Sequence, residues 1–221
     1  MKKIFMLLAF MTSVVSAVAQ GEVGSFNVQP KVGMNISHFV GRDVSHTPRI
    51  GLNAGIEWEY QFANRVSLSM GLSFSMQGGK GKYNFVEAIV FLNNFQNVVY
   101  VGDFQATLIS KMNYFQLPVM ANVYVVKGLA LKVGVQGGLN VRADYKLTIS
   151  TSQGTVKEKG TLSDLGIDVN DFTLSIPVGL SYEYRNFVIE GRYNIGITEN
   201  FKNMNGRNNV FQLTMGKKFG R

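Results

Sequence analysis

The chain has 221 residues, 22 Lys and Arg against 14 Asp and Glu, a formal charge of +8, and no cysteine. That length fits one domain, and the lack of cysteine excludes disulfide and thiolate chemistry. The basic residues are scattered rather than gathered into the patch that nucleic acid requires, so no nucleic-acid partner is expected.

Met1-Lys2-Lys3, the apolar run from Ile4 through Phe10 to Val15, and Ala17-Val18-Ala19 before Gln20 have the three parts of a secretory signal peptide. Cleavage after Ala19 leaves residues 20–221 as a single domain. The alternative, an anchor helix, wants a longer run and a basic flank after it. Gln20 stands where a lipid anchor would need cysteine. Loss of Lys2 and Lys3 lowers the formal charge from +8 to +6. The remaining excess suits anionic lipid headgroups, although solubility alone would account for it. No later stretch reaches the roughly 20 apolar residues of a spanning helix, so any entry into a membrane must be by strands.

Alternation with period two then recurs eight times, and each time predicts a strand. The first runs from Phe26 to Ile36, the second from Ile50 to Phe62 and the third from Val66 to Met76. The fourth starts near Tyr114 and reaches Val123; the fifth covers Leu129 to Arg142. Phe172 to Tyr184, Phe187 to Ile197 and Phe211 to Phe219 complete the set. Short connections at Ala63-Asn64, Val126-Lys127-Gly128 and Arg185-Asn186 alternate with long ones at 37–49, 77–113, 143–171 and 198–209. Short turns on one rim and long loops on the other predict an all-β fold, an eight-stranded antiparallel up-and-down transmembrane β-barrel. An even strand number puts both termini at the short-turn, periplasmic rim.

One face of each strand carries large apolar residues, the other Gly, Ser, Asn and a few charges. A soluble lipocalin-like barrel would bury the large residues; a crowded eight-stranded lumen instead takes the small and polar ones and leaves the large ones to lipid. Phe26, Trp58, Tyr60, Phe62, Tyr182, Tyr184, Phe187 and Phe219 fall near one rim. Phe74, Phe115, Phe172, Tyr193 and Phe211 fall near the other, as two interfacial belts do. Pro30, Pro118 and Pro177 interrupt strands and predict bulges or unpaired rungs.

Several segments resemble the PorT-type outer-membrane β-barrel family (outer membrane protein beta-barrel domain): Lys31-Val32-Gly33-Met34-Asn35, Tyr114-Phe115-Gln116-Leu117-Pro118, Gly191-Arg192-Tyr193-Asn194-Ile195-Gly196-Ile197, and Phe211 to Phe219. The resemblance spans nearly the whole mature chain. It implies an eight-stranded barrel in the outer membrane of a Gram-negative bacterium, with a proline in the fourth strand. The secretion role tied to the family's name is not carried over, since these are barrel motifs.

Parity assigns Lys31, Glu57, Glu59, Lys132, Arg142, Glu183, Glu190 and Arg192 to the lumen, where opposite charges should pair because an unpaired buried charge is costly. The bland reading is a polar plug; the sharper one is a proton or small-ion path. Phe85, Val86, Ile89, Val90, Phe91 and Leu92, with Glu87 and Ala88 among them, make an apolar run in the second outer loop. It reads equally as a contact surface for a protein partner or as local packing, a short helix or a strand extension. The histidines, His38 and His46, lie near Asp43, Ser37 and Ser45 without a ligand or catalytic spacing. Lys80-Gly81-Lys82 lacks the spacing and hydroxyl of a phosphate loop and reads as a flexible loop, and Gly206-Arg207-Asn208 as a loop tip. No cofactor, metal or catalytic residue is assigned; the expected partners are outer-membrane lipid and a protein at the outer loops. A structural or interaction role is the first functional reading, and a transport- or secretion-associated role the second.

Overall fold

A computed structural model describes residues 22–41, 47–92, 97–151, 154–202 and 206–220. The signal segment, Asp43, Ser45 and His46 lie outside the described residues. In chain order the strands are β1 (Phe26–Val40), β2 (Thr47–Ala63), β3 (Val66–Leu92), β4 (Asn97–Val126), β5 (Leu129–Thr151) and β6 (Gly154–Thr161). A short 3-10 helix, Leu162–Leu165, precedes β7 (Phe172–Tyr184), β8 (Phe187–Gly196), β9 (Arg207–Lys217) and β10 (Phe219–Gly220).

Lipid offers no hydrogen-bond partner to a strand edge, so a sheet in the membrane must close. Here β1, β2, β3, β4, β5, β7, β8 and β9 follow one another, and β1 pairs back onto β9 from Lys31↔Gly216 to Val40↔Arg207. The result is a ring of eight antiparallel strands. β10 continues the last strand along β1, pairing Asn27↔Gly220 and Val28↔Phe219. The short turns are two residues each, Asn64-Arg65, Lys127-Gly128 and Arg185-Asn186. Arg185 and Asn186 both have positive φ (48° and 69°), the geometry whose twist suits a two-residue hairpin.

The outward face is apolar from rim to rim, and its large residues are exposed, as lipid-facing side chains are in a barrel taken alone. Phe26, Tyr60, Phe62, Tyr184, Phe187 and Phe219 ring the short-turn end. Phe115, Phe172, Tyr193 and Phe211 ring the other.

Each proline removes rungs on one flank and leaves the register intact. The β1 ladder skips Gln29 and Pro30 between Val28↔Phe219 and Lys31↔Gly216. The β3–β4 ladder skips from Met70↔Val119 to Ser73↔Gln116, across Pro118. The β5–β7 ladder skips from Val133↔Val178 to Gln136↔Ser175, across Pro177. A proline without an N–H costs its own rung, and the chain keeps its pairing on either side.

Two long connections are corrected. Positions 77–113 are not a loop: β3 and β4 continue as one hairpin to Leu92 and Asn97, with Lys80, Gly81 and Lys82 paired to Ile109, Leu108 and Thr107. Likewise β5 runs on to Thr151, and β6 returns beside it from Gly154 to Thr161. Arg207 and Asn208 likewise open β9 rather than sit at a loop tip. These extensions stand beyond the outer aromatic belt, where no lipid faces the outer side of a strand and strict alternation is no longer required.

Candidate functional site

The lumen is filled in three levels. At mid-height, Glu57 on β2 meets Lys31 of β1 (Oε2–Nζ, 2.5 Å), Lys132 of β5 (Oε1–Nζ, 2.5 Å) and Arg192 of β8 (Oε2–Nη2, 3.2 Å). Glu190, two residues before Arg192 on the same face of β8, pairs with Arg192 and with Lys132 at 2.9 Å. All five side chains are buried. The alternation that points Lys31, Glu57, Lys132, Glu190 and Arg192 inward thus delivers them from four strands to one place on the axis. Gly179 stands opposite Arg192, and an added Cβ there would lie 2.6 Å from the Gly191 carbonyl oxygen, so the close strand approach needs glycine.

Towards the short-turn rim a second level forms around Glu59. It accepts hydrogen bonds from Ser67 Oγ at 2.8 Å and from the Tyr124 hydroxyl, and pairs with Lys218 at 3.1 Å. Lys218 also meets Glu183 at 2.8 Å. Sequence parity had put Glu59 and Glu183 inside but left their cation unassigned; Lys218 supplies it, one residue past the end of β9. With Lys218 counted, the two levels together hold four cations and four carboxylates, three against two in the middle level and one against two in the second.

The outer level is different in kind. Above the charges, Gln77, Gln116, Gln136, Asn194 and Asn208 line a chamber of only about 20 Å³. Asn208 donates to Gln77 at 2.7 Å and Gln212 to Gln116 at 3.1 Å. Over it sits an apolar cluster of Phe39, Met112, Tyr114, Tyr145, Leu162 and Phe201. The segments bearing Leu162 and Phe201 are joined by the Val169↔Phe201 bridge and by Lys202 N–H to Asp168 O (2.9 Å). Asn200 Nδ2 donates to the Tyr114 hydroxyl at 2.9 Å, tying this cap to the barrel wall. Asp164 accepts the Thr161 backbone N–H at 2.7 Å, which stops the turn after β6 and holds the Asp164 carboxyl below the usual carboxylate range.

Arg142 is the one lumen assignment that fails. Asn113 pairs with Arg142 but Tyr114 pairs with Asn140, so Val141 is an extra residue in β5. Such a bulge reverses which residues point inward: Lys132 and Gln136 face the lumen below it, Tyr145 above it. Arg142 is therefore on the outside, 69% exposed, paired with Asp144 at 2.6 Å.

Phe85, Val86, Ile89, Val90, Phe91 and Leu92 fall on the extension of β3, with a register shift between Phe85 and Ala88. Ser37 is not placed as a nucleophile. Its Oγ donates to the Gly78 carbonyl at 2.8 Å and accepts the Gly78 N–H at 2.9 Å, stapling β1 to β3. Among the described residues, no group of three or more His, Asp or Glu is arranged to hold a metal ion.

Solved structures resemble this architecture. The attachment invasion locus protein Ail of Yersinia pestis aligns at 13% identity over 90% of this chain and 100% of its own, with a TM-score of 0.49. Neisserial surface protein A aligns at 12% identity over 88% and 97%, TM-score 0.39. The N-terminal barrel of Pseudomonas aeruginosa OprF aligns at 15% identity over 89% and 98%, TM-score 0.30. No curated protein sequence matches the chain. The closed ring, the apolar outer face and the polar lumen agree with a match of residues 18–202 to a family model, and the chain belongs to the outer membrane protein beta-barrel domain family, proteins of the outer membrane.

Proposed function

We propose that the barrel is a closed anchor with a plugged lumen and that it works through its outer hairpins, holding them out to a protein partner. The carrying observation is that β3 and β4 stay paired as far as Leu92↔Asn97, far past the outer aromatic belt at Phe74↔Phe115. Among the described residues, β3 beyond Lys80 pairs with β4 alone, so its other edge is free for strand addition. β6 also ends the projecting sheet, but it carries Lys157, Glu158 and Lys159, all exposed, and charged residues discourage pairing at an edge. The apolar run Phe85 to Leu92 lies on the free edge.

A transport role fits less well, because the ion pairs, the chamber and the apolar cap succeed one another along the axis. The chain is accordingly read as no enzyme. Residues 1–19 act in this reading as the secretory signal, and mature protein begins at Gln20. The strand motifs around Lys31, Tyr114 and Arg192 support kinship with PorT-type barrels.

The test is replacement of residues 83–106 by Asn-Gly, which joins the paired residues Lys82 and Thr107 through a two-residue turn. Cross-linking in native outer membranes should capture a partner with the full chain and lose it with the shortened one, while both barrels remain folded. Equal capture by both proteins would overturn the reading, and so would large stable single-channel currents from the purified wild type.

A further inference from the structure

The lipid-facing wall is indented where β8, β9, β1 and β2 meet. A shallow depression of about 620 Å³ lies there, lined by Pro30, Ala54, Gly55, Gly216, Ile56, Met215 and Phe187. Small residues on an otherwise bulky outer face make the depression, and it lies over the seam where Pro30 interrupts pairing with the last strand. Lys217 closes its short-turn end. That ammonium sits 5.6 Å from the ring centre of Phe187 and 5.3 Å from that of Phe219, so two aromatic faces fix its position. Its neighbour Lys218 points inward to Glu59 and Glu183. Among the described residues Lys217 itself forms no ion pair.

We propose that this groove binds one anionic phospholipid of the periplasmic leaflet. An acyl chain lies along Pro30 and Ala54, and the phosphate meets Lys217. In the bilayer the groove is filled by hydrocarbon. A chain seated in it makes more close contacts than a chain on the smooth wall, and close contacts are individually small but additive. The fixed cation at the headgroup end supplies the preference for an anionic lipid. The short-turn end is periplasmic in barrels of this type, which assigns the leaflet.

Native mass spectrometry of the full chain, released from detergent with equal phosphatidylglycerol and phosphatidylcholine, tests this. The wild type should retain one phosphatidylglycerol with about fivefold preference, which corresponds to about 1 kcal/mol for one lysine near the headgroup. Lys217→Gln should abolish the preference, while Lys127→Gln, a lysine in a short turn away from the groove, should leave it unchanged. Ala54→Leu should reduce retention of both lipids by filling the groove. Equal retention of the two lipids by the wild type would overturn the proposal, as would equal loss in Lys127→Gln and Lys217→Gln. Should Ala54→Leu fail to fold, the exposed Lys217→Gln decides alone.

Discussion

Glu57 on β2 and Lys132 on β5 meet across the barrel axis, with 2.5 Å between Oε1 and Nζ. Because Glu57 touches all three cations of the middle level, removing its charge leaves Glu190 as the one carboxylate facing them. Glu57→Gln should destabilise the barrel by about 3–5 kcal/mol, the usual cost of leaving one partner of a buried pair uncompensated. Replacing both Glu57 and Lys132 by Met should cost less than Glu57→Gln alone. Urea midpoints for folding into lipid vesicles measure both.

Val133 faces lipid near mid-strand, and Asn53 is buried in the lumen. Val133→Arg should cost about 2–4 kcal/mol, the depth-dependent penalty for a charge on the lipid face. Asn53→Ser, a small polar exchange among small polar residues, should cost well under that. Equal midpoints for the two variants would contradict the assigned faces.

Phe201 caps the outer mouth against Phe39, with ring centres 5.1 Å apart. Phe201→Ala should cost the cap about 3 kcal/mol, visible as faster proteolysis within residues 162–171 and 197–202 with the strands still protected. Conductance should stay at baseline, because the two charged levels lie below and are unaltered. A channel opened by this single substitution would show that the cap, not the charge network, closes the barrel.

Pro30 leaves a gap of two rungs in the seam and faces outward. Pro30→Val restores an N–H there in a residue suited to strands, and should stabilise the barrel by about 0.5–1.5 kcal/mol if one hydrogen bond forms. Pro177 is buried instead, so Pro177→Val should gain less or lose stability through crowding. The ranking of the two midpoints is the measurement.

Strand parity located five charges of the middle level because lipid imposes it. A strand with apolar solvent on one side has one usable register, and Lys31, Glu57, Lys132, Glu190 and Arg192 follow from it. Arg142 was misassigned because the Val141 bulge adds a residue without leaving a mark in the local pattern. The outer strands were missed where the lipid constraint ends: Lys80-Gly81-Lys82 has no apolar face, yet it is paired in full. Phe39 could have been found, since Ser37 and Phe39 continue the inward parity of Asn35. Leu162 and Phe201 could not, because a one-turn 3-10 helix and an isolated bridge are too short to carry a periodic pattern, and the two meet only through tertiary contact.

The pairing of β1 with β9 sets the order of events in folding. Lys31 and Gly216, like Asn27 and Gly220 beside them, are partners at opposite ends of the chain, so the seam that closes the ring holds its most non-local pairings. Loop-closure entropy makes such contacts late and slow. Hairpins such as β7–β8, joined by two residues, form first at little entropic cost. Until Gly216 docks, the first and last strands are open edges and Arg192 has no route to Glu57. A nascent chain that stalls before residue 207 therefore has no closed form to adopt, and its exposed edges make it a substrate for chaperones and proteases rather than a smaller barrel.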